Sequence, residues 1–320
     1  MKIQLLGLAA LALVGAGCDQ PDNECRSANL AFAANFTPVG GQDAACRIVG
    51  EPYRGDLISV QTYNYARADD PGRADLERSS IALKAWQLFA IYHGTAAAYG
   101  VGDPDVDNRD PGPETRALYA RADFTSADPA NSLCTAPTFF SKAQYTTTAE
   151  VPPVTCGGEG GGGGAGGGGG EAGGAGGAGC VPDSGLPALD VTYQWNNFKM
   201  VERSDAPGTI FSAELDYSET QTTNGTATLC TGKFNVLAIA PIVDCTIYDA
   251  DGNPTDAGDV TLCDPEANPD AGRLAGSGLN PKLKNLLQCV KVGDFAFDAY
   301  QCVLVADSIE TVVSTLESAE

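Results

Sequence analysis

Between Cys156 and Cys180 lie 23 residues, and 17 of them are glycine. No strand or helix can hold such a stretch, because glycine has no side chain to pack and loses the most backbone freedom when it is ordered. Whatever fold forms must be assembled from the residues on either side. A phosphate-cradling loop is excluded, since that needs a few glycines at set positions between a strand and a helix, together with a lysine. The charges in the run are Glu159 and Glu171, which repel phosphate. The run therefore reads as a flexible spacer or loop, and two organisations follow. If it links two domains, residues 18–155 form an N-terminal domain with a buried helix and residues 181–320 a β-rich C-terminal domain. If Cys156 instead pairs with Cys180, the run is a stapled loop, and at least one bridge ties the two halves together. The two-domain arrangement is the expectation.

The cysteines carry the next constraint. There are 11, at positions 18, 25, 46, 134, 156, 180, 230, 245, 263, 289 and 302, and no two have the C-x-x-C spacing of a redox or zinc site. The first 17 residues read as a secretory signal peptide: Lys2, then an apolar run from Ile3 to Gly17 broken only by Gln4, too short to span a bilayer. The following "LVGAGC" resembles the lipobox of bacterial lipoproteins, with Ala16 and Gly17 before Cys18. That resemblance implies lipidation of Cys18, attachment to a membrane through the lipid, and a place in the bacterial cell envelope, periplasmic or surface-facing. Val14-x-Ala16 also fits an ordinary cleavage site. Lipidation of Cys18 leaves ten cysteines as disulfide candidates: Cys25, Cys46, Cys134, Cys156, Cys180, Cys230, Cys245, Cys263, Cys289 and Cys302. In an oxidising compartment they are expected to pair, with a connectivity that spacing alone does not fix. The net charge of −22 argues against nucleic acid as a partner.

Periodicity indicates an α+β chain, mostly β, built as disulfide-stabilised β-sheet or sandwich units with a few helices. "DLISVQTYNYA" (56–66), "DVTYQWNNFKMV" (190–201) and "TIFSAELDY" (209–217) alternate as half-buried strands do. "GKFNVLAIAPIVDCTIY" (232–248) and "YQCVLVA" (300–306) read as buried strands. A helix is expected from Asp70 as cap through Pro71 to Gly94, with Ile81, Ala85, Leu88 and Tyr92 on one stripe. A short one is expected from Pro113 through "PETRALYARA". Another starts with Asn280 as cap and Pro281, and carries Leu283, Leu286, Leu287 and Val290, with Cys289 on it. "DSIETVVSTLE" forms a last short helix.

Among motifs, "DPDVDNRDPGPE" (103–114) resembles the calcium loop of EF-hand and dockerin-type modules. The resemblance implies a calcium ion held by Asp103, Asp105, Asp107, Glu114 and the Arg109 carbonyl; the alternative is an acidic Asp/Pro turn. Calcium is the one cofactor the sequence suggests. "DADGNPTDAGD" (249–259) has proline at the glycine position of that pattern and reads as a turn. His93 is the single histidine, so a His-rich zinc site or an obvious base for a serine nucleophile is excluded. No nucleophile elbow, Walker loop or H-E-x-x-H occurs. The expected function is that of a lipid-anchored, disulfide-rich envelope protein engaged in binding, adhesion or structure, with a protein or glycan partner. The alternative is a secreted carboxylate-based hydrolase acting on polysaccharide through two facing acidic residues.

Overall fold

The computed structural model describes residues 24–25, 29–40, 54–88, 118–146, 188–271, 273–292 and 300–318. Nine strands form its main sheet: β1 (Asn29–Pro38), β2 (Gly55–Ala66), β3 (Ala74–Ala85), β4 (Ala120–Asp123), β5 (Leu133–Ser141), β6 (Ala143–Thr146), β7 (Ala188–Arg203), β8 (Ala206–Thr223) and β9 (Thr226–Ile239). They lie in the order β5-β4-β3-β2-β1-β9-β8-β7-β6, and β5 also pairs with β7, so the sheet closes on itself. β5 and β6 follow one another along the same side of β7, and the nine strands fill eight positions around a barrel. All the pairings are antiparallel.

An eight-stranded barrel has an interior just wide enough for side chains to fill, and alternation decides which side chains enter. On β8, Phe211, Ala213, Leu215 and Tyr217 are buried inside, while Ser212, Glu214, Asp216 and Ser218 face out. On β7 the inward set is Val191, Tyr193 and Trp195, then Phe198 and Met200. Aromatic rings fill the centre: Phe32 meets Phe211 at 5.0 Å, Phe198 meets Phe211 at 5.2 Å, and Phe36 meets Trp195 edge-on at 6.3 Å. Such pairs add about 0.5–1.5 kcal/mol each beyond area burial. With polar residues outward, this is the reverse of a lipid-facing barrel. Among the described residues no helix is long and apolar enough to cross a membrane.

Toward one end the outer wall turns apolar at Val201, Ile210, Leu237 and Ile239, and there the C-terminal segment covers it. This cap contains the hairpin β10 (Thr246–Tyr248) and β11 (Pro254–Gly258), short 3-10 helices, the hairpin β12 (Leu287–Lys291) and β13 (Tyr300–Leu304), and α1 (Ile309–Ser318). Cys245, Cys263, Leu283, Cys302, Leu304, Val312 and Leu316 pack against the wall. Val292 and Val303 lie on Ala33 at the outside of β1. Gly55 is required at this seam, because a Cβ there would sit 2.5 Å from the Ala34 carbonyl oxygen. Disulfides join Cys25 to Cys134, Cys245 to Cys289 and Cys263 to Cys302, and Cys230 is disulfide-bonded as well.

Strict antiparallel alternation sends the connections to alternate ends. Residues 67–73, 124–132 and 204–205 make short links at the capped end. The connections through 39–54, 86–119 and 147–187, and the tight β8–β9 turn, all leave from the opposite end.

Five expectations are corrected. The glycine-rich run does not divide the sheet: strands from before and after it pair, β1 with β9 and β5 and β6 with β7, which corrects the two-domain reading. The expected helix over 70–94 is strand β3 from Ala74 to Ala85 and helical at 86–88, and its last part, 89–94, lies outside the described residues. Asp70 caps a turn instead, accepting from Gly72 N at 3.2 Å, while Arg73 N donates to the Asp70 carbonyl at 3.0 Å. Ile81 and Leu83 alternate inward against β2 and β4. The expected helix from Pro113 is strand at its C-terminal part, Ala120–Asp123. From Pro281 a 3-10 helix stops at Leu286, with Asn280 capping Lys282 N, and Cys289 lies on β12. The run 232–248 breaks at the cis Ala240–Pro241 peptide, between β9 and β10. The strands expected at 56–66, 190–201, 209–217 and 300–306 and the helix at the C-terminus are present.

Candidate functional site

The register between strands builds a polar floor on the outside of the barrel. Asn35 on β1 faces Leu237 on β9, which faces Ser212 on β8, which faces Lys199 on β7. Two residues further along, Thr37 faces Asn235, Asn235 faces Glu214, and Glu214 faces Asn196. These rows cross four strands. The segment Val305–Glu310, which leads into α1, overhangs them and encloses a groove of about 670 Å3.

A β-bulge shapes one end of this floor. Between Asn196 and Lys199 β7 advances three positions while β8 advances two. The extra residue is Asn197, at φ +49°, a left-handed conformation that asparagine tolerates better than other side-chain-bearing residues. The inward side chains are Trp195 and Phe198, so Asn196 and Asn197 both stay outside, and Asn197 lines the groove. Bulges re-aim side chains in this way and are common beside functional sites.

The roof is held by three contacts. Asn35 Nδ2 donates to the Leu304 carbonyl at 3.5 Å. Ser308 Oγ accepts from Thr311 N at 3.3 Å and begins α1. Lys199 Nζ lies 2.5 Å from Glu310 Oε1, and the hydrogen bond from Lys199 holds the Glu310 carboxyl below its ordinary range. Lys199 is thereby committed. Among the described residues, the side chains of Thr37, Asn197, Ser212 and Asn235 take no hydrogen-bond partner from the protein.

A second pocket, about 510 Å3, lies at the seam with the cap and is lined by Asp205, Pro207, Ile239, Pro241 and Lys282 among others. Its polar groups satisfy one another. Asp205 accepts from Arg203 Nε at 2.9 Å and from Lys282 Nζ at 3.2 Å, and Lys282 also donates to the Leu316 carbonyl at 2.9 Å. Burial would raise the Asp205 pKa, but these hydrogen bonds win and hold it below the usual carboxylate value. This pocket is a structural joint. The sulfurs of Cys245, Cys263 and Cys302 lie within 4.8 Å of one another, but all three are committed to disulfides.

Of the residues singled out in the sequence, Cys18, Cys46, Cys156, Cys180, His93 and the whole calcium-like loop with Asp103, Asp105, Asp107, Arg109 and Glu114 lie outside the described residues. The acidic stretch 249–259 is a turn: Asp249 Oδ1 accepts from Asp251 N at 3.0 Å and from Asn253 N at 2.8 Å. No catalytic or ligand-binding motif in the sequence marks the groove. The one local signal is the shift of parity from Trp195 to Phe198, where two polar residues separate inward aromatics instead of one.

A family model, MlpA, matches residues 30–241, from the first barrel strand to just past the last. No curated protein and no solved structure matches the chain.

Proposed function

Since the chain belongs to the MlpA family, we propose that it is a lipid-anchored protein of the bacterial envelope that works by binding a partner in the groove on its barrel wall. The lipobox-like Cys18 and the disulfides support the compartment. The observation that carries the binding reading is the set of outward polar side chains under the Val305–Glu310 segment that have no partner within the described protein. Thr37, Asn197 and Asn235 are exposed and Ser212 is half-buried, so their donors and acceptors stand open to a ligand.

Two measurements test this. The intact mass of unreduced protein from the membrane fraction of its host is expected to match a chain that starts at lipidated Cys18 with ten oxidised cysteines. A mass without lipid overturns the anchoring. Turnover of a polysaccharide by the purified ectodomain would replace binding with hydrolysis. Calcium at the 103–114 loop is a separate proposal. The ion should raise the melting temperature by mass action, and Asp105→Ala should abolish the rise.

A further inference from the structure

We propose that the occupant of the groove is a neutral oligosaccharide, an assignment that rests on the binding reading above. Adjacent strands lie about 4.8 Å apart, so four of them give a floor about 14 Å long, and residues two apart along a strand set the rows about 7 Å from each other. That is room for a short chain of sugar rings. The floor presents three amides (Asn35, Asn197, Asn235) and two hydroxyls (Thr37, Ser212). An amide offers two donors and an acceptor, and a hydroxyl offers both. Vicinal sugar hydroxyls need that mixture. Val305, 37 % exposed, and half-buried Ala306 from the overhanging segment supply an apolar surface for the C–H faces of the rings.

Charge narrows the class further. Lys199 is the cation of the lining, and Glu310 neutralises it. Glu214 and Asp307 add negative charge, in a chain whose net charge is −22. Anionic ligands such as uronate-rich or sulfated glycans, phosphates and nucleic acid are repelled. Cationic ligands would meet exposed carboxylates in a high dielectric, where single charge pairs contribute little. Hydrogen bonding by uncharged groups is left as the main recognition force. The strained Asn197 fits this scheme. Left-handed backbone at a residue with a side chain costs free energy and persists at sites where that side chain is used.

The test is a panel of immobilised neutral oligosaccharides (gluco-, manno- and chito-series) and anionic ones (heparin- and alginate-derived), probed with the full mature chain and followed by calorimetric titration of any hit. Binding of a neutral member is expected, weakened about tenfold or more by Asn235→Ala, the loss of one well-placed hydrogen-bonding group. Asn197→Gly should weaken binding likewise while leaving the melting temperature unchanged or higher, because glycine adopts φ +49° freely. This separates ligand contact from structural damage. Binding confined to anionic sugars, or neutral binding untouched by both variants, overturns the proposal. Binding of basic peptides that Glu214→Gln abolishes, with no sugar bound, overturns the sugar assignment and keeps the groove as a binding site. A folded protein that binds neither overturns both readings.

Discussion

The barrel, residues 29–239, and the cap, residues 243–318, bury apolar side chains by different means. The barrel uses strands of up to 18 residues and stacks Phe32, Phe36, Trp195, Phe198, Phe211 and Phe234 in its centre. The cap has strands of three to five residues, one described α-helix, and buried side chains that are aliphatic rather than aromatic among its described residues. It is held by two interleaved disulfides, Cys245–Cys289 and Cys263–Cys302. A closed sheet generates its own interior. A short segment laid on a wall shares that wall's apolar side chains instead, and covalent cross-links add to the shared core. The family match stops just past the barrel's last strand, so it spans the barrel and leaves the cap outside.

Four experiments would break or sharpen this contrast. Trp195→Ala in the barrel centre should cost about 3–5 kcal/mol and lower the denaturation midpoint of barrel and cap together. A smaller loss, or one confined to the cap, would mean that the rings are not the barrel's main support. Cys245→Ser with Cys289→Ser should cost about 2–4 kcal/mol. Hydrogen exchange should then rise in 243–318 and stay slow in 188–239; equal acceleration in both would show one cooperative unit. Acid should loosen the joint between them. The Asp205 carboxyl is held below its ordinary value, so its stabilising contribution is complete above about pH 4, the unperturbed value, and is lost as pH falls through the lower folded pKa. Asp205→Asn should flatten that acid limb in a stability-versus-pH series, and an unchanged limb would remove the carboxylate from the joint. The smallest effect belongs to Glu310→Gln, which breaks the exposed pair with Lys199 and should cost less than about 1 kcal/mol by chemical denaturation.

The sequence reveals the barrel better than the cap. β7 and β8 are long enough for alternation to dominate, and their inward residues are those the pattern marks; on β2 Ile58 and Val60 point inward, but Tyr63, in the same alternating run, is exposed. β3 is misleading because Asp70-Pro71 serves a hairpin turn as well as a helix start, and because Ile81, Ala85 and Leu88 satisfy helical spacing while Ile81, Leu83 and Ala85 satisfy strand spacing. Pairing with β2 and β4, which lies outside the local sequence, settles the choice. In the cap, Asn280-Pro281 correctly starts a helical turn, but the cross-strand pairing of Leu287–Lys291 with Tyr300–Leu304 ends it after Leu286. The groove was not legible. Its residues come from four strands and a distant loop, and only the register brings Asn35, Ser212 and Asn235 onto one surface. The closed sheet was missed for the same reason, since nothing local in β1 announces β9.

That closure also sets an order of events during synthesis. β1 leaves any pore that releases the chain from its N-terminal end long before β9 does, and its seat between β2 and β9 stays half empty until nearly 200 residues have followed. The contact is among the most distant in the chain, and distant contacts are slow to form because a large loop must first be closed. Until then β1 has a free flank, open to pairing with another copy. The chain is thus most vulnerable to self-association while it emerges, and β9 ends that exposure.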